Sequence, residues 1–457
     1  MKSFLVWLCL LGCACTALRA QGNDLDRGQE NYVPSRENLE NREWFRDAHF
    51  GMFIHWGVSS VIGKEIGWAL SRQDVEEYRR NQGLFHPVRF DAAEVVRLAK
   101  DAGMRYITFT ARHHDSFSMF QTRYSDWGIM GTPYRKDVVK MLAEECRKQG
   151  IRLFLYYSLT DFYRADYCQG NVEKGRGIPA ECDWNAYLQF MKNQLTELLT
   201  RYGPIYGIWF DGHWDQVERK NGKYGRQRRA WHYEEIYKLI HDLQPGCLIV
   251  NNHHLSPFPG EDYQTFERDL PGENSGGGYS ADAGVSASLP LETSDIIGKS
   301  WGYVRGDDRN RSTPELIHLL VRAAGNGANL LLNIGPTPEG EVRPEHRERL
   351  LAMGQWLRRC GEALYDTRKS YLKPASWGVV LEKKNRVYVH LLDGKSLSGK
   401  LELPAFPYAV QSALRFETRQ PVPFSHSSPG ATLTLDLSRD APDPAAIDTI
   451  YILEVKK

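Results

Sequence analysis

Short apolar segments alternate with longer amphipathic segments between residues 49 and 364 of this chain. The apolar segments have the length of strands, and most segments between them place apolar residues at helical spacing. Parallel strands need a long crossover between them, so this alternation predicts a parallel sheet. About seven or eight such units over roughly 300 residues favour a (β/α)8-like TIM barrel.

The pattern defines seven barrel strands and six helices. No glycine fingerprint of a dinucleotide-binding fold follows any of the strands, which argues against an open doubly wound sheet. We expect the barrel to occupy residues 30–368. The predicted strands are residues 49–57, 105–114, 152–159, 206–212, 247–254, 289–294 and 329–336, and the predicted helices are residues 91–102, 136–149, 184–202, 233–243, 314–324 and 344–364.

The sequence changes character after the last helix. Short apolar runs at residues 378–381, 387–392 and 449–455 alternate with turns rich in Pro, Gly and Ser. Such spacing predicts a C-terminal antiparallel β-sandwich over residues 369–457. Packing against the barrel is the favoured role for this domain, and sugar binding is the alternative.

The N-terminus has the features of an export signal. Lys2 supplies a positive charge, and the apolar run that follows at residues 4–11 is too short to span a bilayer. We expect a signal peptide over residues 1–20, although the sequence ending at Cys13 also resembles a lipobox. The expected location is therefore the periplasm, the medium or a lipid anchor on a bacterial envelope, with no transmembrane segment.

Charge and cysteine spacing exclude two classes of function. The formal net charge is +1, so the chain lacks the basic excess that nucleic-acid binding requires. The five cysteines beyond the leader contain no C-x-x-C pair, and no zinc site is predicted. Cys168 and Cys182 flank one polar loop, and the sequence is compatible both with a disulfide between them and with two free thiols.

Polar and aromatic residues follow the predicted strands, at the barrel end where active sites lie. The fourth strand ends on Asp211, a candidate nucleophile, base or helix cap. Histidines at three strand ends could bind a metal or sugar hydroxyls, and the nearby acids and tryptophans favour sugar. The strand-end residues are His55, Trp56, His113, His114, Asp115, Tyr156, Tyr157, Asp211, Asn251, Asn252, His253, His254 and Glu292.

Carboxylates without a metal motif are typical of glycoside hydrolases, where one acid attacks the anomeric carbon and another protonates the leaving oxygen. By its motifs, the chain resembles the α-L-fucosidases of glycoside hydrolase family 29. The segments that carry this resemblance are residues 44–57 (WFRDAHFGMFIHWG), 106–117 (YITFTARHHDSF), 209–212 (WFDG), 291–292 (LE), 300–303 (SWGY) and 329–336 (NLLLNIGP).

The resemblance implies a retaining hydrolase that releases terminal α-L-fucose from glycans through a covalent fucosyl-enzyme, without a cofactor or metal. Asp211 matches the family nucleophile. Trp209 and Trp301, with Phe53, are also expected to form an apolar wall for the C6 methyl group. The expected substrate-binding residues are His55, Glu65, Trp68, His113, His114, Tyr157, Trp209, His253 and Trp301.

Two positions depart from the family pattern. Family members often carry Glu directly before Trp68, where this chain has Gly67, with Glu65 two residues earlier. They also often carry Arg where this chain has His253. These departures leave two alternatives open, a hydrolase of a related sugar such as an α-L-galactoside and a carbohydrate-binding protein without catalysis.

The acid/base residue varies in position across the family, so the motif does not fix it. Glu292 ranks first because it stands at a predicted strand end. Glu261 and Asp262 are the alternatives, in a loop that could fold over the site. Glu267 and Glu273 lie further along the same loop and complete the candidates.

Overall fold

The computed structural model describes residues 26–71, 73–220, 223–273, 284–393, 399–438 and 446–457. The predicted signal peptide, including the lipobox at Cys13, lies outside the described residues. Within them the chain forms nine α-helices and eighteen strands. The helices are α1 (Arg36–Ala48), α2 (Val75–Arg79), α3 (Asn81–Leu84), α4 (Ala92–Asp101), α5 (Val138–Gln149), α6 (Trp184–Arg201), α7 (Tyr233–Leu243), α8 (Thr313–Gly325) and α9 (Pro344–Cys360).

The strands fall into a barrel, a hairpin and a C-terminal domain. They are β1 (Phe50–Ile54), β2 (Tyr106–Arg112), β3 (Arg152–Ser158), β4 (Gly207–Asp211), β5 (Val217–Lys220), β6 (Lys223–Gln227), β7 (Leu248–Asn251), β8 (Gln264–Glu267), β9 (Leu291–Ile296), β10 (Ala328–Ile334), β11 (Arg368–Lys369), β12 (Gly378–Lys383), β13 (Arg386–Leu391), β14 (Lys400–Leu403), β15 (Ala409–Arg415), β16 (Phe424–Ser425), β17 (Leu433–Asp436) and β18 (Thr449–Lys456).

Eight strands form a parallel sheet in the order β7-β4-β3-β2-β1-β10-β9-β8. The backbone N–H of Asp262 donates to the carbonyl of Ile249 at 2.7 Å, and the Asp262 carboxylate accepts from the Ile249 N–H at 2.7 Å. These bonds join the segment before β8 to β7 and bring the two edges of the sheet together. The (β/α)8-like barrel is confirmed, with all seven predicted strands present.

One barrel strand (β8) and three helices (α1, α2 and α3) were missed by the sequence pattern. Strand β8 has the sequence QTFE, which contains one apolar side chain, and among the described residues no helix separates it from β7 or β9. Helix α1 precedes β1 in a segment with mostly polar residues, and its Phe45 packs among barrel residues such as Tyr106 and Phe154. The helix therefore closes the barrel at the amino ends of the strands.

The barrel interior is filled by aromatic side chains, which need space on neighbouring strands. A Cβ atom on Gly51 would lie 2.3 Å from the ring of Tyr106. The missing side chain lets that ring cross the interior, where its hydroxyl donates to Glu292 at 2.7 Å. The glycine in β1 thus determines how a residue on β2 reaches across the barrel.

The C-terminal domain is a β-sandwich, as predicted. A five-stranded antiparallel sheet (β11-β12-β13-β18-β15) faces a three-stranded sheet (β14-β17-β16). Val387, Leu401, Leu435 and Leu453 are among the residues that fill the core between the sheets. The other face of the larger sheet packs on the barrel, where Val379 lies against helix α8. This supports the expectation that the sandwich packs against the barrel.

Cys168 and Cys182 form a disulfide, which settles the alternative that the sequence left open. The bridge closes the loop that follows β3, on the side of the barrel where the strands end. Cys146, Cys247 and Cys360 are buried free thiols. No helix among the described residues has both the length and the apolar character needed to cross a membrane.

A buried imidazolium joins the sandwich to the barrel. The Nδ1 of His390 lies 2.7 Å from a carboxylate oxygen of Asp448, and its Nε2 lies 3.0 Å from the carbonyl oxygen of Ala363. Both partners are acceptors, so both ring nitrogens carry protons. Burial lowers the pKa of His390, but the charges of Asp448 and Glu417 and the two hydrogen bonds raise it above its ordinary value overall.

We predict that His390→Gln destabilises the protein in a pH-dependent way. Removing one partner of a buried charge pair costs about 3–5 kcal/mol. Because the folded pKa of His390 is raised, its contribution is fully present below about pH 6.5 and is lost as the pH rises through the folded pKa. Thermal unfolding from pH 6 to 9 should therefore show the largest difference from wild type at low pH.

His346→Gln is the matched control, because burial lowers the pKa of His346 to about 4, the folded ring stays neutral from pH 6 to 9, and any pH dependence therefore has the opposite sign. A stability difference for His390→Gln that is the same at every pH would contradict the imidazolium assignment.

Candidate active site

One pocket opens at the carboxyl ends of the barrel strands. Its volume is about 320 Å³, near the lower end of the roughly 300–1,000 Å³ typical of ligand pockets. This size suits one sugar ring better than a long chain. The lining residues are Phe53, His55, Glu65, Ile66, Trp68, His113, His114, Tyr156, Asn171, Val172, Trp209, Asp211, Trp214, Asn252, His254, Glu267 and Trp301.

Asp211 ends strand β4 inside this pocket. Its carboxylate accepts hydrogen bonds from the hydroxyl of Tyr156 at 2.9 Å, Nε1 of Trp214 at 3.3 Å and Nδ2 of Asn252 at 3.4 Å. The following Gly212 has φ +106°, and a Cβ there would lie 2.3 Å from Thr160 Oγ1. Only glycine fits this exit, which presents the carboxylate to the pocket.

Glu267 is the second carboxyl group of the pocket and ends strand β8. Its carboxylate accepts from Nδ2 of Asn252 at 2.9 Å. Burial raises the pKa of Glu267 to about 7, and the charge of Asp211 adds to the rise. Burial also raises the pKa of Asp211, against the hydrogen bonds that it accepts. Two carboxyl groups so placed favour a state with one ionised and one protonated.

The side-chain nitrogen of Asn252 limits the distance between the two acids. Because it lies 3.4 Å from an oxygen of Asp211 and 2.9 Å from an oxygen of Glu267, these oxygens are no further apart than the sum of both distances. For this pair of oxygens, the limit is compatible with the about 5–5.5 Å between the carboxyl groups of retaining glycosidases.

Three histidines, His55, His113 and His114, also line the pocket. Burial lowers the pKa of His55 and His114 to about 3, and it lowers the pKa of His113 as well. Arg112, buried directly below, contributes to the lowered pKa of His113 and His114. All three imidazoles are therefore neutral at pH 7, and each has one donor and one acceptor nitrogen.

Aromatic rings form one wall and the mouth of the pocket. Phe53, Trp209 and Trp301 all line it, as the sequence predicted for the apolar wall. At the mouth, Trp68 stacks on Trp214 with ring centroids 5.4 Å apart and an interplanar angle of 11°. Trp68 remains 42% exposed, so this pair presents an aromatic surface at the entrance.

The segment with Glu65 and Gly67 is shaped around His113. A Cβ at Gly67 would lie 2.0 Å from His113 Nδ1, and Gly67 has φ +71°, so no larger residue fits there. Glu65 lines the pocket instead. Its carboxylate accepts from the backbone N–H groups of Trp301 at 3.1 Å and Gly302 at 2.7 Å.

The structure places Glu292, the expected acid/base, below the pocket. Its carboxylate accepts from Tyr106 at 2.7 Å, Trp209 Nε1 at 3.0 Å and Thr265 at 3.2 Å, and the side chain has no exposed surface. Burial raises the pKa of Glu292 to about 7, as for Glu267. Glu292 is therefore not among the residues that line the pocket with Asp211.

The alternatives Glu261 and Asp262 are also buried outside the pocket. Glu261 accepts from the hydroxyl of Tyr237 at 2.9 Å and lies 2.9 Å from Nε2 of His253. Asp262 pairs with Arg42 at 2.5 Å, besides its bonds to β7. Both acids hold the β7–β8 side of the barrel together. The remaining loop acid, Glu273, is exposed and lies outside the pocket lining.

Two predicted sugar-binding residues are replaced by their neighbours in sequence. Tyr157 points away from the pocket and donates to Gln194 at 2.8 Å, whereas Tyr156 lines it. His253 is bonded to Glu261, whereas His254 lines the pocket. Successive side chains of a strand face opposite sides, so an error of one residue exchanges the two. That alternation is the signal that could have identified Tyr156.

The structure brings seven of the nine predicted sugar-binding residues to one pocket, and adds Tyr156, Trp214, Asn252, His254 and Glu267. Among the described residues, no group of three or more His, Cys, Asp or Glu side chains is arranged to hold a metal ion. The pocket offers the carboxyl groups of Glu65, Asp211 and Glu267 together with neutral imidazoles.

Comparison with known proteins agrees with this geometry. Residues 20–362 match the Alpha-L-fucosidase family. Tissue alpha-L-fucosidase of Bos taurus is 30% identical over 391 residues, covering 78% of this chain and 75% of that protein. Plasma alpha-L-fucosidase of Homo sapiens is 28% identical over 421 residues, covering 84% and 83%.

Among solved structures, alpha-L-fucosidase isoenzyme 1 from Paenibacillus thiaminolyticus is similar to this chain. It has a TM-score of 0.79 and 27% sequence identity, and the match covers 92% of this chain and all of that one. The fold, the pocket and these relatives all indicate the same family. This chain belongs to the α-L-fucosidase family and is a glycoside hydrolase.

Proposed function

We propose that the chain is a retaining exo-α-L-fucosidase in which Asp211 is the nucleophile and Glu267 is the acid/base. The observation that carries this proposal is the contact of both carboxyl groups with one side-chain nitrogen of Asn252 inside the pocket. That spacing suits double displacement, and the pocket size suits a single terminal sugar.

In the first step, an ionised oxygen of Asp211 attacks the anomeric carbon of the sugar. The bond to the leaving oxygen breaks, and Glu267 donates its proton to that oxygen. The product is an ester between the sugar and Asp211 with inverted configuration. Tyr156 and Trp214 keep the carboxylate oriented by donating to it.

In the second step, Glu267 accepts a proton from water as the water attacks the anomeric carbon. The ester with Asp211 breaks, and the second inversion restores the original configuration. The electrostatics support this reversal of role. Esterification removes the negative charge of Asp211 that helps to raise the pKa of Glu267, so Glu267 loses its proton more easily at the stage where a base is needed.

The wall of Phe53, Trp209 and Trp301 supports a sugar with a methyl group at C6. Trp209 Nε1 already donates to Glu292, and this leaves the indole with no donor for a further hydroxyl. A C6 hydroxyl facing this wall would lose its hydrogen bonds with water. The site therefore suits fucose better than L-galactose, the alternative that the sequence left open.

Export to an oxidising compartment is also proposed for this chain. The Cys168–Cys182 disulfide supports it, since such bonds persist outside the cytosol. The loop that this bridge closes carries Asn171 and Val172 into the pocket lining. In an oxidising compartment, the disulfide would stay formed and hold this loop at the entrance of the pocket.

We predict that p-nitrophenyl α-L-fucoside is hydrolysed about 10- to 100-fold better, in kcat/KM, than p-nitrophenyl α-L-galactoside. The factor reflects one unpaired hydroxyl at an apolar wall, a cost of about 1–3 kcal/mol. Release of p-nitrophenol by the purified protein measures both rates. Equal rates on the two substrates would contradict the assignment of the wall.

We predict opposite products from azide rescue of the two acids. Asp211→Ala and Glu267→Ala should each lose at least the about 10²–10⁴-fold that acid–base catalysis contributes. Azide entering the Asp211→Ala site should displace the leaving group once and give the β-azide. In Glu267→Ala, azide should attack the sugar–Asp211 ester and give the α-azide. NMR of the products distinguishes the anomers.

Glu292→Gln is the control for this experiment, since the structure buries this acid below the pocket. It should lower stability without giving an azide product. An α-azide from Glu292→Gln, with none from Glu267→Ala, would overturn the acid/base assignment.

We predict that kcat/KM falls as the pH rises past about 7. Glu267 must be protonated to act on the leaving group, and its pKa is about 7 in the unliganded site. On the acid side, activity should fall where Asp211 takes up a proton, at a pKa above its ordinary value. Glu267→Gln with a 2,4-dinitrophenyl fucoside, which needs no acid, should lack the alkaline decline. A decline that persists in this variant would assign it to another group.

A further inference from the structure

The three histidines of the pocket have different protonated nitrogens, and the structure identifies them. Nδ1 of His113 accepts the backbone N–H of His114 at 2.9 Å. An acceptor nitrogen carries no proton, and burial keeps this imidazole neutral. The proton of His113 is therefore on Nε2, which makes Nε2 a donor.

His114 has the opposite arrangement, and Ser158 determines it. The hydroxyl of Ser158 donates its one proton to the carbonyl of Thr160 at 2.6 Å. Nδ1 of His114 lies 2.6 Å from the same hydroxyl oxygen, so Nδ1 must be the donor of that bond. The neutral ring then leaves Nε2 of His114 as an acceptor.

Asn333 determines the arrangement of His55 in the same way. Its Nδ2 donates to the carbonyl of Trp301 at 2.6 Å, which fixes the orientation of the amide. Oδ1 of Asn333 then lies 2.6 Å from Nδ1 of His55 and can only accept. Nδ1 of His55 carries the proton, and Nε2 of His55 is also an acceptor.

We propose that Ser158 and Asn333 are positioning residues that fix the tautomers of His114 and His55, so that these histidines accept while His113 donates. Ser158 and Asn333 do not line the pocket and act through the imidazoles. The role rests on the proposed function, because it concerns how the sugar hydroxyls are bound beside Asp211.

The tautomer of His114 matters because this residue faces the nucleophile. Its Nε2 lies 3.6 Å from Oδ2 of Asp211. With Nδ1 protonated, two acceptors face each other, and a sugar hydroxyl can donate to either of them. With the proton on Nε2, His114 would donate to Asp211 itself, which would lower the nucleophilicity of the carboxylate and remove an acceptor for the substrate.

The alternation of acceptor and donor nitrogens in the three histidines also suits hydroxyl groups, which both donate and accept hydrogen bonds. The ring centroid of His113 lies 4.2 Å from that of His114 and 5.5 Å from that of His55. A hydroxyl that accepts from Nε2 of His113 has its own proton free for a neighbouring acceptor nitrogen. One hydroxyl can in this way accept from His113 and donate to one acceptor nitrogen, and a neighbouring hydroxyl can donate to the other, which three identical tautomers would prevent.

Long-range ¹H–¹⁵N NMR of the unliganded protein, labelled at histidine, tests the proposal without any catalytic readout. Protonated and unprotonated ring nitrogens resonate far apart. We expect Nδ1–H for His55 and His114 and Nε2–H for His113 at pH 7. In Ser158→Ala, His114 should gain the Nε2–H form, whereas Ser158→Thr, which keeps a hydroxyl, should retain Nδ1–H. Wild-type His114 protonated on Nε2 would overturn the proposal.

Kinetics of the same variants test the consequence. Ser158→Ala should lower kcat/KM by about tenfold or more, the effect of one hydrogen bond, with Ser158→Thr closer to wild type. Ser294→Ala is the matched control, a buried barrel serine whose hydroxyl finds no hydrogen-bond partner among the described residues. It should leave activity unchanged.

Asn333→Asp provides a second test that keeps the shape of the side chain. Its carboxylate should favour the doubly protonated ring of His55 and turn Nε2 into a donor. We expect the NMR signal of a protonated Nε2 and a comparable loss of kcat/KM. A change of tautomer in either variant without any change in activity would overturn the proposed role. Expected tautomers with failed azide rescue would instead contradict only the roles of Asp211 and Glu267.

Discussion

The site depends on the repulsion between the carboxyl groups of Asp211 and Glu267, which line one pocket. Asp211 accepts three hydrogen bonds from side chains, and Glu267 accepts fewer and also feels the charge of Asp211. The negative charge is therefore better stabilised on Asp211, and the proton remains on Glu267. The difference between a nucleophile and an acid thus follows from the number of donors around each group. Asn252, which contacts both, keeps them close.

Acidic residues that the sequence suggested as catalytic candidates hold Asp211 and Glu267 in place. Asn252 follows β7 and Glu267 ends β8, so the hydrogen bond between Asn252 and Glu267 forms only if these two strands are adjacent. Asp262 makes them adjacent by bonding to the backbone of β7 and to Arg42 of helix α1. Glu292, below the pocket, holds the indole of Trp209 in the apolar wall. Asp262 and Glu292, which the sequence suggested as acid/base candidates, thus hold residues of the pocket in place.

The sequence predicted the barrel and the sandwich, because each gives a pattern over many residues, and a local motif made Asp211 the candidate nucleophile. Strand β8 could not be predicted in the same way, because three of its four residues are polar and no helix among the described residues lies between it and β9. Glu267, the proposed acid/base, ends that strand, so the sequence placed it only among several loop acids. Tyr156 and His254 were named at strand ends, but Tyr157 and His253 were expected to bind the sugar; for the two tyrosines, a one-residue change of phase turns a side chain from the pocket to the surrounding layer.

The departure at Gly67 shows how a site can keep a carboxylate while the chain around it changes. The ring of His113 occupies the space that a side chain at position 67 would need, so a glutamate cannot stand there. The left-handed conformation of Gly67 turns the chain, and Glu65 reaches the lining from two residues earlier. Backbone N–H groups of Trp301 and Gly302 fix its carboxylate. This acid therefore couples the loop after β1 to the aromatic wall after β9, and any movement of one displaces the other.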